Sequence, residues 1–121
     1  MTIKKTFSDL VFNAHANTPN GVQAKLDLGN NLEISVVSMT KREGSFSGLY
    51  GDVSEGTYEV AVFQSDTMIP LTSCDDVRGW QTEDDLNDLM SSLQGNPDDI
   101  QDFIDQLYLA KRALRLELDL D

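Results

Sequence analysis

Residues 22–36 read V-Q-A-K-L-D-L-G-N-N-L-E-I-S-V, the most regular pattern in the chain. On both sides of Gly29-Asn30-Asn31, apolar and polar residues alternate, which is typical of strands with one buried and one solvated face. Glycine and asparagine tolerate positive φ, so these three residues predict a tight turn. The stretch therefore predicts a hairpin of two antiparallel strands.

Further strand signals follow the hairpin. A third strand is predicted from Tyr58, Val60 and Val62, and their neighbours Ala61 and Phe63 make the run apolar on both faces, as expected for a central strand. Residues 68–71 suit a short edge strand, because their proline is tolerated only at a sheet edge. Residues 40–56 contain four glycines and predict a long loop with a short strand at 46–50.

The segment before the hairpin has two interpretations. The apolar residues of 2–14 have helical spacing, whereas Leu10-Val11-Phe12 is strand-like. We favour a strand over Phe7 to Phe12, followed by a loop at residues 16–21.

The period becomes helical after Thr82. Thr82 predicts an N-cap, with Asp85 three residues later completing a capping box, and Gly95 predicts the end of the helix. The predicted buried stripe of this first helix is Leu86, Leu89, Met90 and Leu93.

A second helix is predicted directly afterwards. Asn96 suits its N-cap and Pro97 its first position. Its predicted stripe is Ile100, Phe103, Ile104, Leu107 and Leu114. The tail, residues 114–121, alternates leucine with charge, and this pattern fits a frayed helix end or a strand.

These elements predict an α+β domain, in which an antiparallel sheet of three to five strands packs against two C-terminal helices. We expect one domain over residues 1–121. Residues 1–74 would be mainly β, residues 75–95 would hold a junction and the first helix, and residues 96–121 would hold the second helix and tail.

The chain is strongly acidic. Its 121 residues carry a net charge of −12, and residues 75–121 hold 13 acidic against 4 basic side chains. A field of this sign repels nucleic-acid phosphates and anionic lipid and attracts a basic protein surface. No apolar run approaches the roughly 20 residues that a membrane helix needs. With one cysteine, no internal disulfide is expected, which favours a cytoplasmic protein.

The sequence predicts no catalytic site, no metal and no cofactor. One histidine and one cysteine make a zinc site implausible, and neither an EF-hand loop nor a phosphate-binding loop is present. A small enzyme would have to combine His15, Cys74 and a carboxylate. The two aspartates that follow Cys74 would raise its pKa, which opposes a reactive thiolate.

The segment D-D-V-R-G-W, residues 75–80, joins the sheet to the first helix. In one interpretation it is a structural corner, with Gly79 in a turn and Trp80 packed at the junction. In the other, Trp80 is an exposed anchor beside acidic residues and contacts a basic partner.

Acidic residues follow the predicted exposed face of each helix, opposite the apolar stripe. We predict a partner-binding surface formed by Trp80, Asp84, Asp85, Asp88, Asp98, Asp102 and Asp105. Asp98 to Asp105 spans about 10 Å, over which duplex DNA carries about six phosphates. Mimicry of DNA would therefore need both helices to present their acids together.

Several stretches resemble a group of small uncharacterised proteins from tailed phages. They are F-N-A-H (12–15), G-V-Q-A (21–24), N-N-L-E-I-S-V-V (30–37), Y-E-V-A-V (58–62) and D-D-V-R-G-W (75–80). The resemblance covers roughly residues 7–93, and residues 96–121 look like an extension. It implies a phage or prophage source and no activity.

Three functions remain open. The first is a non-enzymatic acidic protein that binds a host protein with a basic surface, as an inhibitor of a defence or nucleic-acid-handling factor. The second is a structural or virion protein that forms a homodimer through the second helix. The third is a small enzyme.

Overall fold

A computed structural model describes residues 4–14, 21–39, 51–72 and 76–119. Within these residues the chain forms an antiparallel sheet followed by two helices, which confirms the predicted α+β class. The strands are β1 (Asn13–Ala14), β2 (Gly21–Gly29), β3 (Leu32–Met39), β4 (Tyr58–Gln64), β5 (Thr67–Met68) and β6 (Arg78–Gln81). The helices are α1 (Glu83–Ser92) and α2 (Pro97–Asp119). The strand expected at 46–50 lies outside the described residues.

The strands lie in the order β1-β2-β3-β4-β5, and every neighbouring pair is antiparallel. β5 pairs with the end of β4, at Phe63 and Gln64, while β6 pairs with its beginning, from Tyr58 to Val60. β4 therefore has neighbours on both edges, as predicted for a central strand.

The predicted hairpin is confirmed, and its strands extend beyond the residues 22–36 from which it was predicted. β2 and β3 stay paired from the turn back to Gly21 and Met39. Asn30 and Asn31 have φ values of 53° and 65°. A two-residue turn with both residues left-handed matches the twist of the strands that it joins.

One face of the sheet packs against both helices. The buried core residues of the strands are Ala24, Leu28, Leu32, Ile34, Val36, Val60 and Val62. Those of the helices and the turn between them are Leu86, Leu89, Met90, Leu93, Ile100 and Ile104. Burial of this apolar surface is the main force that holds the two layers together.

The predicted edge strand over residues 68–71 is shorter than expected. Pairing in β5 ends at Met68, although the Ile69 N–H still donates to the Val62 carbonyl at 2.9 Å. Ile69, Pro70 and Leu71 are buried, because the chain turns into the core after this hydrogen bond.

The favoured strand over Phe7 to Phe12 is wrong. Phe7–Asp9 is a 3-10 turn, and pairing with β2 begins only at Asn13. The turn forms because Thr6 and Asp9 make a capping box, in which the Thr6 N–H donates to Asp9 Oδ2 at 2.8 Å. The Phe7 ring then packs beside Tyr58, with their centroids 5.2 Å apart.

The N-terminal segment is also hydrogen-bonded to α1 and to the turn that follows it. The Phe7 N–H donates to Asn87 Oδ1 at 2.8 Å. The Lys5 N–H donates to Gln94 Oε1, and Gln94 Nε2 donates back to the Lys5 carbonyl, both at 2.8 Å. These contacts, which no local pattern encodes, explain why the segment runs along the helix instead of joining the sheet.

α1 is built as predicted. The Asp85 N–H donates to Thr82 Oγ1 at 3.2 Å, and the Thr82 N–H donates to Asp85 Oδ2 at 3.0 Å. The stripe of Leu86, Leu89 and Met90, continued by Leu93, is buried. Leu93 is the C-cap, and Gly95 follows with a φ of 115°.

Thr82→Ala is expected to lower the free energy of unfolding by about 1 kcal/mol, because it leaves an N–H of the first turn without its acceptor. Urea unfolding followed by circular dichroism measures the change. Thr82→Ser, which keeps the hydroxyl, is the matched control and should remain close to wild type. An unfolding free energy that is unchanged in Thr82→Ala would contradict the cap.

α2 also begins as predicted. Pro97 is its first residue, and the Asp98 N–H donates to Asn96 Oδ1 at 2.8 Å. Ile100 and Ile104 are buried, with Phe103 and Leu107 partly so. The backbone continues as helix to Asp119, so the alternative of a strand in the tail is wrong.

Candidate protein-binding surface

The junction before α1 contains β6, a strand that the sequence pattern did not reveal. Gln81 pairs with Tyr58 and Arg78 pairs with Val60, so Gly79 and Trp80 together lie opposite the single residue Glu59. Two residues facing one is a β-bulge, a feature that redirects a side chain out of the regular pleat. The predicted corner with a turn at Gly79 is therefore wrong, because β4 pairs with this segment along its edge.

Trp80 lies at the bulge in an unusual conformation. Its φ is 55°, in the left-handed region, which a bulky residue adopts only when its surroundings impose it. The side chain is 44% exposed, although Trp80 also makes contacts with its own chain. Trp80 is therefore not fully buried at the junction between the sheet and α1, where one of the two interpretations packed it.

A cleft of about 240 Å³ lies between β6, α1 and α2. It is lined by Arg78, Gln81, Asp85, Asp88, Leu89, Ser92 and Phe103. Arg78 is held in place by a 2.7 Å hydrogen bond from its guanidinium to the Leu71 carbonyl. The cleft therefore combines apolar side chains with two carboxylates and one positioned cation.

Asp85 in this cleft has a perturbed acidity. Its pKa is lowered from the ordinary value of 3.8, first by the hydrogen bond from the Thr82 N–H, then by the Thr82 hydroxyl and the charge of Arg78. Hydrogen bonds and positive charge favour the ionised carboxylate. The cleft keeps this negative charge at neutral pH.

Asp85 is expected to make the stability depend on pH at the acidic end. Because its folded pKa is below 3.8, its contribution is present above that pH and is lost as the pH falls through the folded pKa. Asp85→Asn should flatten the acid limb of a plot of unfolding free energy against pH. Asp84→Asn, which removes the same charge outside the cap, should change the slope less. Identical acid limbs for wild type and Asp85→Asn would contradict this assignment.

The structure does not bring all seven predicted residues together. Asp85 and Asp88 line the cleft beside β6, the strand that carries Trp80, and Asp84 is exposed on the same helix. Asp98, Asp102 and Asp105 are exposed on α2, and none of them lines the cleft.

Asp105 and its neighbour Gln101 have contacts away from the cleft. Gln101 Nε2 donates to Asp105 Oδ1 at 2.9 Å, and Gln64 at the end of β4 reaches Gln101 Oε1 at 3.5 Å. Phe103, on another side of α2, faces the cleft. The cleft therefore holds two acids of α1 and none of α2.

A second cavity, of about 260 Å³, lies at the other end of the sheet. It is lined by Asp27, Asn31, Leu32, Glu33, Phe63, Ser65 and Asp66. No local sequence pattern groups these residues, since they come together only when the β2–β3 and β4–β5 turns meet.

No match to the chain is found among protein families, curated proteins or solved structures. The chemistry of its own surface is therefore the guide to what it binds. In the described part of the chain, no three histidine, cysteine, aspartate or glutamate side chains are grouped to hold a metal ion. No helix among those residues is long and apolar enough to cross a bilayer. His15 and Cys74, the residues of the enzyme hypothesis, lie outside them.

Proposed function

We propose that this protein is a non-enzymatic binding protein of a phage or prophage that acts on a host protein in the host cytoplasm. Its partner would present a basic surface, and inhibition of a defence or nucleic-acid-handling factor suits that chemistry. The observation that carries the proposal is Trp80, partly exposed in a left-handed bulge of β6, the strand whose Arg78 and Gln81 line the acidic cleft.

Trp80 has the properties of an interface anchor. Tryptophan is enriched among the few interface residues that carry most of the binding energy. Strained backbone of this kind costs on the order of 1–3 kcal/mol, and it recurs at functional sites. The bulge therefore supports a role for Trp80 beyond packing.

The charge distribution supports a basic partner. The chain carries a net charge of −12, and the carboxylates of Asp85 and Asp88 lie in the cleft beside β6. This negative charge speeds the encounter with a basic surface, and it repels the phosphates of nucleic acid. Arg78 supplies a cation in the same cleft, which suits a partner with a mixed surface.

Mimicry of duplex DNA has weaker support than a protein-specific site. It needs the acids of α1 and α2 on one surface, because three carboxylates on one helix have about half the phosphate density of a duplex. Asp85 and Asp88 of α1 line the cleft, and none of the acids of α2 does. We therefore place the binding surface at Trp80 and α1.

Affinity capture with the full chain from host lysate, followed by mass spectrometry, tests the proposal. Wild type is expected to retain a partner that is released as the salt concentration rises, since salt screens exposed charges. With that partner purified, Trp80→Ala and Asp88→Lys should each weaken binding about tenfold or more.

Two matched variants control this experiment. Glu33→Lys makes the same charge change on the sheet face turned away from the helices, and Val11→Ala truncates another exposed apolar side chain. Both should bind as wild type does. Equal binding by all four variants, or a partner insensitive to salt, would overturn the proposal.

A second candidate is a structural protein that associates with itself through α2. One observation favours it: Tyr108 and Leu109 are 43% and 54% exposed beyond the part of α2 that packs on the core. Light scattering after size exclusion, over a range of protein concentrations, tests whether the full chain forms a dimer.

A further inference from the structure

The exposed face of α2 carries a regularly spaced seam. Its members recur at intervals of four and three residues: Asp98, Asp102, Asp105, Leu109 and Arg112. Because an α-helix has 3.6 residues per turn, this spacing places the five residues in one stripe along the helix. All five side chains are exposed. The core side of the same helix is fixed by Ile100 and Ile104, so the seam faces away from the domain.

The seam is divided by charge. Its first three members are acidic, Leu109 follows, and Arg112 is basic. Arg112 has no ion-pair partner in the described part of the chain, and Asp105 accepts a hydrogen bond from the neutral Gln101. Lys111, by contrast, lies towards the core and pairs with Asp76 at 3.1 Å. The seam therefore has acidic residues towards one end and a basic residue at the other, so two copies of it can pair opposite charges.

We propose that the seam binds a second copy of this chain, with the two α2 helices antiparallel and the twofold axis at Leu109. This inference rests on the second candidate function, self-association, and is independent of the cleft beside Trp80. To self-association, the proposal adds the orientation of the two α2 helices, their register and the residues that are in contact.

The register follows from helix geometry. Asp105 precedes Leu109 by four residues and Arg112 follows it by three, each about one turn away. In an antiparallel pair, the turn before Leu109 in one copy lies across from the turn after it in the other. Asp105 of each copy therefore meets Arg112 of its partner, and the two Leu109 side chains meet at the axis. A twofold contact forms both pairs at once.

A parallel arrangement is disfavoured by the same charges. It would place Asp98, Asp102 and Asp105 against themselves, and like charges across a helix pair cost free energy. The antiparallel arrangement also leaves room for both domains, since each seam faces away from its own core. The seam residues that meet about this axis, from Asp105 to Arg112, span about 10 Å, which indicates a weak dimer and not a permanent one.

Charge reversal tests the register. Asp105→Arg places two arginines on each side of the contact, and Arg112→Asp places two aspartates there. Each variant alone is expected to be monomeric under conditions where wild type is a dimer, with the dissociation constant raised about tenfold or more. Mixed together, the two variants should form a heterodimer, because both arginine–aspartate pairs are then restored.

The measurement is sedimentation velocity on the full chain, at stepped concentrations, for wild type, each variant and their equimolar mixture. Glu33→Arg is the matched control, since it makes the same charge change as Asp105→Arg on the sheet face turned away from the helices and should keep the wild-type dimer. Circular dichroism establishes that each variant is folded.

The outcomes distinguish self-association in general from the specific contact through the seam. A wild-type protein that stays monomeric at the highest concentration would overturn self-association and the seam together. A wild-type dimer that survives both reversals would overturn the seam and leave self-association standing. Loss of the dimer in both variants without recovery in the mixture would overturn the Asp105–Arg112 register.

Discussion

Ile104→Ala is expected to lower the free energy of unfolding by about 2–5 kcal/mol. Ile104 has no exposed surface, and α2 is packed on the core by this residue and Ile100, with Phe103 and Leu107 partly buried beside them. Truncation removes three buried carbon atoms and leaves a cavity that the sheet on the other side cannot fill by a small shift. Urea unfolding followed by circular dichroism measures the loss.

Leu109→Ala is the matched control on the same helix. Leu109 is 54% exposed, so its truncation should change the unfolding free energy by no more than about 0.5 kcal/mol. Both variants are compared at a protein concentration low enough to keep the chain monomeric, since Leu109 also lies in the proposed seam. Equal, small losses in the two variants would show that α2 is not docked through Ile104.

Gly51→Ala is expected to lower the free energy of unfolding by about 1–3 kcal/mol. A Cβ at this position would lie 2.8 Å from Tyr58 Cα and 2.9 Å from the Thr57 carbonyl oxygen. These are backbone atoms, so no side chain can rotate to make room. The Thr57 carbonyl also accepts hydrogen bonds from the Asp52 N–H at 3.0 Å and from Ser38 Oγ at 2.8 Å. The clash therefore reaches the start of β4 and the end of β3.

Gly56→Asn is the matched control. It replaces a glycine whose role is its left-handed backbone, and not close contact with neighbouring atoms. Gly56 has a φ of 70°, and nothing lies within 4 Å of the Cβ that it lacks. Asparagine tolerates left-handed backbone, so the cost should stay below about 1 kcal/mol. Thermal and urea unfolding compare the two variants. A Gly51→Ala protein as stable as wild type would contradict the packing of residue 51 against β4.

The elements that the sequence predicted correctly are those with a local period or a local cap. The alternation around Asn30-Asn31 defines the hairpin, and Thr82 and Asn96 mark where the helices begin. The predicted strand over Phe7 to Phe12 is wrong, because the conformation there depends on Asn87 and Gln94, whose hydrogen bonds span 80 and 89 positions. β6 has only four residues and forms because β4 offers an edge.

The candidate site was predictable in part. Trp80 and the acids of α1 stand out in the sequence, because a lone tryptophan beside a helix start and a run of carboxylates are local signals. The left-handed φ of Trp80 was not predictable, since that conformation is normally taken by glycine or asparagine. Phe103 joins the cleft only through the packing of α2 on α1. A helical wheel gives each acidic face but not the angle between two helices.

The hydrogen bonds that fasten Lys5 and Phe7 to α1 have a consequence for the order of folding. They join positions 80 to 89 residues apart, and closing a loop of that length costs about 4 kcal/mol in chain entropy. The β2–β3 hairpin and the α1–α2 pair need only short loops, so they can form before the N-terminal segment attaches. We expect the N-terminal segment to be among the last parts to fold and among the first to open. When it detaches, Asn87 and Gln94 lose these hydrogen bonds. We therefore expect α1 to begin unfolding from its C-terminal end, and not from the end that Thr82 and Asp85 cap.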